Sequence, residues 1–213
     1  MIRLALFDLD ETLYPPSTGV LPQIGRRIER YLTERLGWEP ELAAARRVAY
    51  REQYGTTLGG LLVHHQADPE DYLAFVHDVP VEDMVQPNPA LDAALAALPW
   101  ERVIFTNSHR PHAERVLTAL GVRHRFSRIY AIEDFGYSQK PNQEVYRRLL
   151  EALGANGPSC LMVDDALPNL IAAKAWGMTT IWITPVGDPA PGADYCLPDV
   201  ASISKLAAQL VDN

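Results

Sequence analysis

Residues 3–8 read Arg-Leu-Ala-Leu-Phe-Asp, and the fold is decided there. Four apolar residues bounded by charge on each side are too few for a helix and lack the alternation of a half-buried strand. They predict a strand covered on both faces. Similar runs recur at Val103–Thr106, Arg128–Ile132, Cys160–Val163 and Thr179–Thr184. Helical stretches lie between the later ones, at His112–Leu120, Glu144–Leu153 and Leu167–Trp176, with Gly121 and Gly177 where C-terminal caps belong. Strand and helix alternating at this spacing predict an α/β protein, a Rossmann-like parallel sheet with helices on both faces.

The segment from Pro15 to Leu98 departs from this pattern. Ile24, Ile28, Leu32 and Leu36 recur four apart, and Leu42, Ala45, Val48 and Ala49 continue at helical spacing. Tyr72, Phe75 and Val76 predict a further short helix. Proline-rich stretches flank the segment, Tyr14-Pro15-Pro16-Ser17 before it and Gln86-Pro87-Asn88-Pro89 after it. The expected organisation is an α/β core from residues 1–14 and 99–213, with a small helical domain, 15–98, inserted after the first strand.

Composition narrows the function. With 19 basic and 27 acidic residues, the net charge of -8 argues against a surface for a nucleic-acid polymer or an anionic membrane, while leaving room for a small anionic ligand met by a local cation. Cys160 and Cys196 sit in separate apolar stretches without metal-site spacing and read as reduced thiols. Asp8 comes too early for a signal-peptide apolar region, and no apolar run approaches the ~18 residues of a membrane span. A cytoplasmic protein, monomer or homodimer, is expected.

Ligands of an open parallel sheet bind beyond the carboxyl ends of its strands. Those positions hold Asp8, Asp10 and Thr12 after the first run, Thr106, Asn107 and Ser108 after the second, and Asp164, Asp165 and Asn169 after the fourth, with Lys140 in a loop before a helix. Each has a plain local explanation, since acids and hydroxyls cap helices. Together they place several carboxylates at one sheet edge, which is costly unless a cation compensates them; oxygen donors without His or Cys favour Mg²⁺. A lysine and a hydroxyl beside them complete a pocket for a phosphoryl group.

The run Phe7-Asp8-Leu9-Asp10-Glu11-Thr12-Leu13-Tyr14 resembles the first motif of the haloacid dehalogenase-like hydrolase superfamily. Phe105-Thr106-Asn107-Ser108 is similar to its second motif, Lys140-Pro141 to its third, and Val163-Asp164-Asp165 with Asn169 to its fourth, in the family's order. The helical insertion occupies the place of the type-one cap. The resemblance implies that Asp8 is the nucleophile and becomes an aspartyl-phosphate, and that Asp10 is acid and then base. It implies that Thr106 and the Asn107 backbone bind phosphoryl oxygens while Lys140 neutralises charge. Mg²⁺ would be held by Asp8, the Asp10 carbonyl and the Asp164-Asp165 pair. The fourth motif usually reads GDxxxD, so Asp164 and Asn169 are departures, and which of Asp164 and Asp165 binds the metal directly stays open.

Members that cleave carbon–halogen bonds lack the second aspartate, because a halide leaves without a proton; Asp10 therefore implies a phosphatase. Tyr54-Gly55-Thr56-Thr57-Leu58 with His64 is similar to the pyrimidine 5′-nucleotidase subgroup, implying that Tyr54, Thr56, Thr57 and His64 contact a pyrimidine nucleotide. The same residues also read as a helix-to-helix turn with Thr capping. Asn107, Ser108 and His112 begin the helix beside the phosphate pocket, where one of them could touch substrate, though His112 reads more readily as a solvated helix residue. A phosphatase for phosphoglycolate or a sugar phosphate, or a phosphomutase, is the alternative among enzymes. A phospho-receiver signalling module uses similar groups, but its acidic pair comes first and its phosphoacceptor later, the reverse of the order here.

Overall fold

In the computed structural model, which describes residues 1–185 and 192–211, strand β1 (Leu4–Phe7) is buried along its whole length. Both of its edges are paired in parallel, to β2 (Glu101–Phe105) on one side and to β4 (Cys160–Asp164) on the other. Strand β3 (Arg128–Tyr130) follows β2 outward, and β5 (Thr179–Ile183) and β6 (Tyr195–Leu197) follow β4, giving the order β3-β2-β1-β4-β5-β6 with every pair parallel. Side chains alternate across a strand. Leu4, Leu6, Val103, Phe105, Cys160 and Met162 enter one hydrophobic cluster, while Ala5, Phe7, Ile104 and Val163 are buried on the opposite face, where Phe7 meets Phe126 edge to face at 5.8 Å.

The chain divides into two compact units, residues 1–18 with 85–213, and residues 19–84. The second is helical: α1 (Val20–Glu34), α2 (Pro40–Tyr54), α3 (Thr57–His64), α4 (Pro69–Val76) and the single turn α5 (Val81–Met84). Helix α2 buries Ala43 and Tyr50, not the face predicted from Leu42 and Val48, which are 45% and 54% exposed. Tyr50 turns inward because Gly60 of α3 has no Cβ; one added there would lie 2.2 Å from the Tyr50 ring. Periodicity counted aliphatic residues and missed this ring-on-glycine contact.

The inserted unit ends earlier than predicted. Helix α6 (Pro89–Ala96), assigned on sequence to the insertion, belongs to the sheet-bearing unit. The Asn88 N–H donates to the Leu120 carbonyl at 3.0 Å, and Asp92 pairs with Arg125 at 2.7 Å. A helical pattern does not reveal which unit receives the helix. Helices α7 (Arg110–Ala119), α8 (Gln143–Leu153) and α9 (Leu167–Lys174) complete the alternation, followed by α10 (Ile203–Val211), which with β6 was not predicted. Gly121 and Gly177 take φ of +75° and +79° just beyond α7 and α9, a conformation that costs glycine little. None of the helices, among the described residues, is long and apolar enough to cross a membrane.

Candidate active site

From the central pair β1 and β4 the chain continues toward opposite edges of the sheet, β1 to β2 and β4 to β5, and the crevice beyond their carboxyl ends is where such sheets bind ligands. Asp8 follows β1 and Asp164 ends β4. Oxygen atoms of Asp8, Asp164 and Asp165 lie within 4.8 Å of one another, with Asp8 and Asp164 buried. Lys140, just before α8 and 2% exposed, donates from Nζ to Asp8 Oδ1 and to Asp164 Oδ2, both at 2.8 Å. Asn107 sets this lysine in place: its Oδ1 accepts from the Lys140 N–H at 2.9 Å, and its Nδ2 donates to the Lys140 carbonyl at 3.0 Å.

Three carboxylates against one ammonium leave an excess of negative charge in a place poor in water. Burial pushes the Asp8 carboxyl up to about 8, against the pull of Lys140 and helped by Asp164 and Asp165. Asp165 is raised to about 6, by burial and then by Asp164. A hard divalent cation relieves this repulsion, and the all-oxygen donor set suits one.

The two adjacent acids are not equivalent. Asp164 is fully buried and accepts from Lys140, from Asn169 Nδ2 on both oxygens (3.1 and 3.0 Å), and from the Ala166 N–H at 2.8 Å. Asn169, the departure in the fourth motif, thus supplies donors where a second acid would have added charge. Asp165 accepts the Thr12 hydroxyl at 3.0 Å, while its own N–H donates back to Thr12 Oγ1 at 3.1 Å. Asp165 therefore keeps more acceptor capacity for a cation than Asp164 does.

Asp10 lies outside that acidic cluster, in a cage of donors. Its Oδ1 accepts from Tyr14 Oη and from His112 Nε2, the latter at 2.8 Å, and its Oδ2 accepts from Ser108 Oγ. Burial alone would raise this carboxyl, but His112, Ser108 and Tyr14 together hold it well below the usual carboxylate range. Glu11, next in the chain, takes φ of +60°, a left-handed conformation just past the two motif acids that a non-glycine residue rarely adopts. Thr106 is buried beyond β2, its Oγ1 accepting the Ser108 N–H at 3.0 Å. His112 is not solvated as predicted: it is 1% exposed, in the first turn of α7. Tyr14 in the first motif and His112 beside the phosphate pocket are placed near the site by sequence, but the bond of each to Asp10 was missed. Their signal was positional, Tyr14 four residues after Asp10 and His112 at the start of the helix that follows the Thr106–Ser108 loop.

The four residues expected to contact substrate lie in the inserted unit. Thr56 caps α3 by accepting the Gly59 N–H at 3.0 Å, and Thr57 is buried. Both threonines are thus engaged in building the α2–α3 corner. Tyr54 Oη and His64 Nε2 form a hydrogen bond on the exposed side of the same corner.

The site thus sets acids at the switch point of a doubly wound parallel sheet, with a buried lysine joining two of them and a further carboxyl held apart. The haloacid dehalogenase-like hydrolase family profile matches residues 2–177, and the chain belongs to that family. It is 29% identical over 201 residues to the phosphoglycolate phosphatase of Neisseria gonorrhoeae, covering 86% of this chain and 80% of that one. It is 26% identical over 191 residues to phosphate metabolism protein 8 of Saccharomyces cerevisiae, covering 83% of this chain and 60% of that protein's length. In fold it is similar to the L-2-haloacid dehalogenase of Xanthobacter autotrophicus, with a TM-score of 0.64, 17% identity, and coverage of 98% of this chain and 99% of that one.

Proposed function

We propose that the chain hydrolyses small phosphomonoesters with Mg²⁺, through an aspartyl-phosphate on Asp8. The observation that carries this reading is the separation of two nearby carboxyls. Asp8 joins the acidic cluster through Lys140, while Asp10, two residues on, is held outside it by neutral and imidazole donors. One carboxylate is placed for attack and the other for proton transfer.

In this reading an Asp8 oxygen attacks phosphorus and the bond to the leaving oxygen breaks. The phosphomonoester monoanion brings the proton, which passes to the Asp10 carboxylate and from it to that oxygen. Asp10, now ionised, takes a proton from the water that hydrolyses the aspartyl-phosphate, releasing inorganic phosphate and restoring Asp8. Thr106 and the Asn107 backbone bind phosphoryl oxygens, and Lys140 offsets their charge. Mg²⁺ would be held by Asp8, the Asp10 carbonyl and Asp165, and when bound supplies charge stabilisation and keeps Asp8 ionised. Asp164 serves instead to orient Lys140.

The finer reading of the substrate is a pyrimidine 5′-nucleotide, and it rests on the resemblance around Tyr54 and His64, since Thr56 and Thr57 are engaged in folding. Similarity to the Neisseria phosphoglycolate phosphatase favours a second reading, phosphoglycolate. A phosphate-release assay over UMP, CMP, AMP, phosphoglycolate and glucose 6-phosphate, with Mg²⁺ and with chelator, separates them. Highest kcat/KM for UMP and CMP supports the first reading; a higher value for phosphoglycolate replaces it with the second. No Mg²⁺-dependent release from any phosphomonoester would overturn the activity itself.

A further inference from the structure

We propose that His112 is a positioning residue for the Asp10 carboxyl, an inference that rests on the acid and base role just given to Asp10. The two residues are 102 apart in sequence and 2.8 Å apart in space, His112 Nε2 to Asp10 Oδ1. An ionised carboxylate only accepts, so Nε2 carries the hydrogen. The terminal torsion of an aspartate has a broad minimum, so the direction its oxygens face is set by their partners. Of the three partners, the Tyr14 and Ser108 hydroxyls can rotate to donate or accept and follow whatever state Asp10 is in. The imidazole ring cannot, because it is a rigid group buried to 1% exposure in the first turn of α7.

With Oδ1 taken by the ring, the proton that Asp10 delivers, brought in by the phosphomonoester monoanion, sits on Oδ2, the Ser108 hydroxyl rotating to accommodate it. The Asp8 carboxylate pair then forms the bond to phosphorus, and the bond from phosphorus to the leaving oxygen breaks with its pair on that oxygen. The Oδ2 proton passes to it and leaves Asp10 ionised for the water step. His112 touches no reacting atom in this scheme; it acts through Asp10.

Leaving-group dependence tests this, because kcat/KM covers the steps up to departure of the leaving group. Phenyl phosphate needs a proton as it leaves, and p-nitrophenyl phosphate needs little. In His112→Asn, whose amide is too short to reach Asp10, kcat/KM for phenyl phosphate should fall ~10–100-fold and that for p-nitrophenyl phosphate less than about 3-fold. His112→Leu, which fills the buried volume, should give the same split, so that either variant decides if the other does not fold. His112→Gln places an amide N–H near the Nε2 position and should recover most of the selective loss.

Equal losses on both substrates, no loss on either, or a glutamine variant as impaired as the asparagine one would overturn the proposal. Asp10→Asn on the same pair separates the two levels. A selective loss there without one in the His112 variants overturns His112 alone. The absence of selective loss in Asp10→Asn removes the acid role and the proposal with it.

Discussion

Lys140 Nζ donates to Asp8 Oδ1 at 2.8 Å across 132 residues of sequence. The same ammonium reaches Asp164, so one side chain from the loop before α8 joins the ends of the two central strands. Lys140→Met should therefore weaken the fold as well as the chemistry. It leaves buried carboxylates facing each other without their cation, a change that costs about 3–5 kcal/mol when one partner of a buried pair is removed. Urea unfolding measures it; a midpoint within error of the wild type would show that the pair adds nothing to stability.

Asp8→Asn should behave differently. Lys140 keeps Asp164 as a partner and one negative charge leaves the cluster, so the melting temperature should hold or rise. Phosphate release should drop by on the order of 10⁴-fold or more, as when a nucleophile is deleted elsewhere. Undiminished release would remove Asp8 from the mechanism.

Protonation of the acidic cluster ties stability to pH in the metal-free protein. Burial lifts Asp8 from 3.8 to about 8 and Asp165 to about 6, so the folded state holds protons that the unfolded chain has released. For raised carboxyls the sign is fixed: their contribution is fully present below the unfolded value and is lost as pH rises through 6 and then 8. With chelator present, the melting temperature should fall between about pH 5 and 8. Added Mg²⁺ should raise it more at the upper end, because the cation competes with those protons. A Mg²⁺ shift independent of pH would separate cation binding from these carboxyls.

Gly157, in the turn before β4, tests packing away from the chemistry. A Cβ there would lie 1.6 Å from the Trp176 carbonyl oxygen, a backbone atom that cannot swing aside. Gly157→Ala should cost on the order of 1–3 kcal/mol, or about 2–4 °C of melting temperature for each kcal/mol. KM should change little. An unchanged melting temperature would mean that the turn relaxes without cost.

The sheet and its acids were legible in the sequence because both depend on local chemistry. A strand buried on both faces must be apolar throughout, so Leu4–Phe7 and Cys160–Val163 announce themselves, and reactive residues at their carboxyl ends follow from strand direction. Strand β6, only Tyr195–Leu197, is too short to carry such a signal. Helix α6 was legible as a helix but not as part of the sheet-bearing unit, since periodicity reports that a face is buried and not against what.

The side-chain contacts were decided only in three dimensions. Lys140 meets Asp8 and His112 closes on Asp10 because parallel strands and their crossover helices bring the starts of distant loops to one edge. Sequence by itself determined which groups are present at that edge. Tertiary structure decided which are paired, because hydrogen-bond partnership depends on ångström-scale placement of residues more than a hundred positions apart.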